Sequence, residues 1–128
     1  MSFEVEILNL SFINKDKIDY ETIVFYVTYP EKIDIETSRQ LWVFLNTLIN
    51  GGAKKIIIDL KKVSQIDSGG ISTLISATKQ IRKNNGDLVL ARVNESLLNI
   101  LDVVRVGSFI KIFNTDVDAV QYFRYITI

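Results

Sequence analysis

The 128-residue chain carries fifteen basic and fifteen acidic residues, so no net field draws it to nucleic acid or to an anionic membrane. Its 48% hydrophobic content is enough for a core, and the absence of cysteine removes disulfides, thiolate catalysis and cysteine metal sites. Histidine is absent too, which removes the commonest general base near neutral pH and the commonest metal ligand and weighs against an enzyme.

The opening MSFEVEILNL carries two glutamates and no basic region, unlike a signal peptide. No apolar run approaches the ~20 residues that span a bilayer. The expectation is a single cytoplasmic domain over 1–128, with no membrane insertion and no direct contact with nucleic acid.

Phe3, Val5 and Ile7 alternate with Glu4 and Glu6, the period of a half-buried strand. A polar turn-forming segment, 14–19, leads to a second alternation over Thr22 to Thr28, rich in β-branched and aromatic residues. So short a connection favours an antiparallel pair. Pro30 ends the second strand. Asp34 or a near neighbour is expected to cap a first helix, Glu36 to Asn50, with Leu41, Phe44, Leu45 and Leu48 on its apolar stripe and Trp42 and Ile49 widening it. Asn50-Gly51-Gly52 closes that helix.

Lys55 to Leu60 reads as a strand covered on both faces. A second helix follows from Gly69 to Lys83, with Ile71, Leu74, Ile75, Thr78 and Ile81 inward and Asn84-Asn85-Gly86 as its stop. Asp87 to Val93 is another buried strand, and Asn94 can cap a third helix bearing Leu97, Leu98, Leu101 and Val104. Phe109 to Phe113 reads as a short strand after Gly107. Thr115-x-x-Asp118 resembles a capping box before a final helix with Val117, Val120 and Phe123. The tail, 124–128, reads equally as a frayed helix end or an extra strand. Strands alternating with helices predict an α/β fold: a mixed, mostly parallel sheet with an antiparallel first strand and about four packed helices.

Chemistry concentrates at Gln65-Ile66-Asp67-Ser68-Gly69-Gly70, between the third strand and the second helix. A helix N-terminus offers free N–H groups and partial positive charge, so it favours anions, a phosphate included. The residues alone leave two roles for Ser68: it caps the helix, or it displays a hydroxyl that can be modified. The turn lacks the spacing and lysine of a phosphate-binding loop. It lacks the G-x-S-x-G order of a hydrolase elbow, and no histidine is present to take the proton. A hard-cation site from Asp34, Asp59 and Asp67 is the weaker alternative to caps and solvated ends.

The stretch IIIDLKKVSQIDSGGISTLISATKQIRKNNGDLVLARV resembles the core of the STAS domain, the sulfate-transporter and anti-sigma-factor-antagonist family. The resemblance is strongest over residues 23–123. It rests on the strand ending Asp59-Leu60, the Asp67-Ser68-x-Gly-Ile turn, and the Asn94 to Val106 helix. It also places Asp34 where the family has an aspartate before the first helix. The resemblance implies a STAS-like fold and a free-standing anti-sigma factor antagonist without cofactor or metal. Its unphosphorylated form would bind an anti-sigma factor that is also a serine kinase, freeing a sigma factor. That kinase would phosphorylate Ser68, and a phosphatase would reverse the step.

Partner contacts are expected at Asp34, Asp67, Gly69, Gly70, Ser72, Ser76 and Lys79, on a chain that is a monomer or weak homodimer. Gly69 stands where the family usually has a second Ser or Thr, and Ser72 where many members have glycine. Tyr29-Pro30 replaces a glycine often found before the first aspartate. Members without a working phosphosite serve as interaction subunits of stress-signalling scaffolds or lipid-transport complexes, the alternative function.

Overall fold

The computed structural model describes residues 4–10, 23–30, 32–33 and 35–125. In chain order the elements are β1 (Glu4–Asn9), β2 (Ile23–Thr28), β3 (Lys32–Ile33), α1 (Ile35–Asn50), β4 (Lys55–Asp59) and β5 (Gln65–Ile66). They continue with α2 (Ser68–Lys83), β6 (Asp87–Ala91), α3 (Glu95–Val103), a 3-10 turn (Val106–Ser108), β7 (Ile112–Phe113) and α4 (Asp116–Tyr125). No helix among the described residues is long and apolar enough to cross a membrane.

The five main strands lie in the order β1-β2-β4-β6-β7. β1 is antiparallel to β2, and the remaining pairs are parallel. The order from β2 to β4, β6 and β7 advances in one direction. Right-handed crossovers therefore put α1, α2 and α3 on one face. On that face Leu41, Leu45, Leu74, Ile81, Leu97 and Leu101 bury against Val27, Ile56, Ile58, Leu88 and Leu90. The opposite face carries a smaller core, where Ala119 and Phe123 of α4 close on Val24, Tyr26, Ile57, Val89 and Ala91. β4 and β6 are buried along their whole lengths, as their continuous apolar runs require.

Several elements differ from expectation. β1 is the edge of the sheet, and Val5 and Ile7 are 39% and 65% exposed rather than inward. Its other face contributes Leu8 to the smaller core. Phe3, the 14–19 turn and Thr22 lie outside the described residues. Val104 follows the last turn of α3 and is half exposed. Only Ile112 and Phe113 of the fifth expected strand pair with β6; Phe109 and Ile110 follow the 3-10 turn, and their amides bond the Val106 carbonyl. In α4 Ala119 and Phe123, one turn apart, are buried, while Val117 is 60% exposed. Arg124 and Tyr125 continue α4, and the rest of the tail lies outside the described residues.

Two predicted helix ends have the anticipated chemistry. The Asn94 carboxamide oxygen accepts the Leu97 amide at 2.9 Å, and the Thr115 hydroxyl accepts the Asp118 amide at 3.0 Å. Gly52 has φ 110°, a conformation that spares glycine a steric penalty as the chain leaves α1.

Candidate functional site

The Asp67-Ser68 turn is held from below by two short strands that the sequence pattern did not reveal. β3 and β5 form a separate parallel pair, with Lys32 opposite Gln65 and Ile33 opposite Ile66. The Asp67 amide donates to the Ile33 carbonyl at 3.0 Å, which extends the pairing into the turn. One signal was available: the same Ile-Asp dipeptide, Ile33-Asp34 and Ile66-Asp67, precedes both helices. Strands of two residues carry no period, so nothing else marked them.

Asp67, not Ser68, is the cap of α2. Its backbone is extended (φ −97°, ψ 179°), and its Oδ1 accepts the Gly70 amide at 2.9 Å. Ser68 is the first helical residue and is exposed, and among the described residues its hydroxyl has no hydrogen-bond partner. The capping role left open for Ser68 is thereby excluded. No acidic residue lies in the first turn of α2, and its positive end has the Asp67 carboxylate as its cap. Asp67→Ala is expected to cost about 1 kcal/mol of stability, whereas Ser68→Ala costs a few tenths at most. Urea denaturation of the two variants measures the difference.

The two glycines have different reasons to be there, and neither adopts positive φ. A Cβ on Gly70 would lie 2.3 Å from Ile33 Cγ2 and 2.9 Å from Ile66 Cγ1, so α2 starts in direct contact with the β3–β5 pair. A Cβ on Gly69 would meet Asp67 Oδ1 at 3.3 Å and Ser38 Oγ at 3.5 Å, so a side chain there asks only a slight shift. Gly70 is buried and is part of the support, not of the exposed surface.

Ser68, Ser72, Ser76 and Lys79 recur every three or four residues and form one exposed stripe along α2, continued by Lys83. The Lys79 ammonium stands 5.8 Å from the centre of the Phe109 ring, which Arg82 also covers at 4.8 Å. Gln80, one position off the stripe, binds Asn46 Oδ1 at 3.1 Å and Asn50 Oδ1 at 3.3 Å, tying α2 to α1. Asp34 lies outside the described residues; the backbone bond to Ile33 brings the segment before it alongside the turn.

The alternative cation site does not assemble from Asp59 and Asp67. Asp59 is fully buried, and its Oδ2 takes the Tyr26 hydroxyl and, at 2.6 Å, the Arg92 guanidinium. Its Oδ1 accepts the Lys61 amide at 2.8 Å. Burial, with the hydrogen bond and charge of Asp59, keeps the Tyr26 hydroxyl protonated well above the ordinary tyrosine range. Among the described residues no cluster of three potential metal ligands exists.

Comparison with known proteins gives this geometry a context. The relatives include a protein provisionally assigned as an anti-sigma factor antagonist in Thermotoga maritima. It is 28% identical over 101 residues, spanning 77% of this chain and 88% of its own. A crystal structure of such a protein from T. maritima superposes with a TM-score of 0.80 at 21% identity, covering 95% of this chain and 94% of that one. The anti-sigma factor antagonist SpoIIAA superposes in its unphosphorylated form with a TM-score of 0.75 at 15% identity, over 99% of this chain and all of that one. The Bacillus cell fate determinant SpoIIAA in its phosphorylated form does so at 0.65 and 16% identity, over 94% and 98% of the two chains. Those structural likenesses establish a shared fold. Antagonists of this kind are binding modules, not enzymes. The model of the STAS domain matches residues 14–119, and on that match the chain belongs to the STAS domain family.

Proposed function

We propose that this chain is an anti-sigma factor antagonist switched by phosphorylation of Ser68. Unphosphorylated, it binds an anti-sigma factor that is also a serine kinase and so frees a sigma factor; phosphorylated, it lets go until a phosphatase restores it. The reading places these partners in the cytoplasm. One observation carries it: Ser68 is exposed at the first position of α2 with an uncommitted hydroxyl, while Asp67 does the capping.

The physical consequence is a modification that alters binding more than folding. A phosphate adds about −1.5 to −2 charge at neutral pH. On its own domain that charge meets the positive end of α2, so no hydrogen bond within the turn has to break. Against a partner fitted to a neutral hydroxyl, and beside the Asp67 carboxylate, it repels. Ser72, Ser76 and Lys79 extend the contact along the exposed stripe. Gly69 and the Asp67 carboxylate form its near edge.

The test is binding of the purified chain to a candidate anti-sigma kinase, by calorimetry, before and after incubation with ATP. Wild type is expected to gain one phosphate and lose affinity, and Ser68→Ala to gain none and stay bound. Ser68→Asp is expected to bind at least tenfold more weakly while its melting temperature stays close to wild type. Tight binding by Ser68→Asp would sink the switch, and would favour a STAS interaction subunit that does not switch.

A further inference from the structure

Three crossovers in one direction leave the second face of the sheet to a single described helix. α4 has ten residues and rests on β4, β6 and β7. Among the described residues the β1 side of that face is the less covered part: Glu4 and Glu6 are exposed and Leu8 is half-buried, while Val24 and Tyr26 of β2 are buried. The result is a groove of about 420 Å³, within the range of small-molecule sites. Its floor is Leu8 and Tyr26, and Val117 and Val120 form the α4 wall. This arrangement explains two features that otherwise look like misplaced residues. Glu4 and Glu6 share a sheet face with Leu8 and Tyr26, and Val117 is exposed because it borders the opening and not the core.

The charges in the groove are unequal. Its lining includes the carboxylates of Glu4, Glu6 and Asp116 and the cations Lys62 and Arg92. Arg92 is already bound to the buried Asp59 at 2.6 Å, and Lys62 stands 3.9 Å from Glu4. Among the described residues Glu6 and Asp116 remain in excess, both exposed and bordering the apolar side chains of Leu8 and Val117. The groove thus combines an apolar floor with an uncompensated negative charge at its rim, and a ligand matching both has an apolar body and a positive group.

We propose that this groove binds a small organic cation, a protonated amine or amidine carried on an apolar body of one or two rings. The apolar body lies over Leu8, Tyr26 and Val120, and the cation faces Glu6 and Asp116. The site is on the opposite side of the sheet from α2, so it stands or falls independently of Ser68.

The experiment is a titration of the isotope-labelled chain with benzamidine and with tryptamine, followed by amide chemical shifts, alongside the anions benzoate and indole-3-acetate. The cations are expected to shift the amides of Leu8, Tyr26, Val117 and Val120 saturably, with millimolar or tighter affinity. The anions are expected to leave them in place. The pair Glu6→Gln and Asp116→Asn, both exposed and the second still able to accept the Val117 amide, is expected to weaken cation binding at least tenfold without altering the rest of the spectrum. Absence of saturable shifts at these amides overturns the proposal. So do equal shifts from the anions, or full affinity in the double variant.

Discussion

Gly70→Ala is expected to destabilise the protein by about 2–3 kcal/mol, although alanine is the better helix former by roughly 1 kcal/mol. The added methyl would sit 2.3 Å from Ile33 Cγ2 and 3.0 Å from Ile33 Cβ, well inside contact distance. Ile33 is 1% exposed, so it has no solvent to turn into, and Ile66 blocks the other side at 2.9 Å. Either α2 lifts from the β3–β5 pair or Ile33 leaves its position. The clash also predicts its own relief. Ile33→Ala alone leaves a cavity that costs about 2–4 kcal/mol. With Gly70→Ala the new methyl enters the space vacated by Cγ2, so the double variant should be more stable than the sum of the two single losses. Additive losses in a urea-denaturation cycle would show that the close approach is not what Gly70 serves. The equivalent change at Gly69, where the nearest atoms are 3.3 and 3.5 Å away, should be nearly neutral.

Arg92→Met should cost about 2–3 kcal/mol, which for a chain of this length lowers the melting temperature by roughly 10 °C. Asp59 is fully buried, and Arg92 supplies its neutralising charge. Removing one partner of such a pair leaves a charge without compensation, a loss of about 3–5 kcal/mol in a sealed interior. The figure is reduced here because the Arg92 side chain is 34% exposed and water reaches the vacated place through the groove. Arg92 also has φ 54°, a left-handed backbone that costs a non-glycine residue about 1 kcal/mol or more. Arg92→Gly relieves that strain while losing the same ion pair, so it should be less damaging than Arg92→Met. Equal damage from both in thermal denaturation would mean that the backbone at this position carries no strain.

These residues also mark how far the sequence could be read. The helix start at Asp67-Ser68 was recognisable, but the sequence offered Ser68 as its cap, and the structure gives that role to Asp67, whose Oδ1 accepts the Gly70 amide. The buried strand before it was recognisable from the continuous apolar run within Lys55 to Leu60, and the structure buries it along its whole length. Asp59 was read as a strand end and a weak candidate for a cation site. Its actual partners, Tyr26 and Arg92, each lie 33 positions away, a separation that no local pattern spans. Ser68 was legible as a helix-start serine that either caps the helix or displays its hydroxyl, and local pattern could not choose between the two. That distinction required knowing which neighbouring oxygen takes the Gly70 amide.

What the sequence alone determined is the order of strands and helices, the antiparallel first pair, the helix stops and the Asp67-Ser68 helix start. Those features arise from periodicity and capping within one or two turns of chain. Only the tertiary structure decided that β1 is an exposed edge, that Ile33 and Ile66 pair beneath the turn, and that Gly70 is held by close contact. It alone left the groove beside α4 partly uncovered. Each of these depends on which distant segments share a face of the sheet, and that is set by strand order and crossover hand.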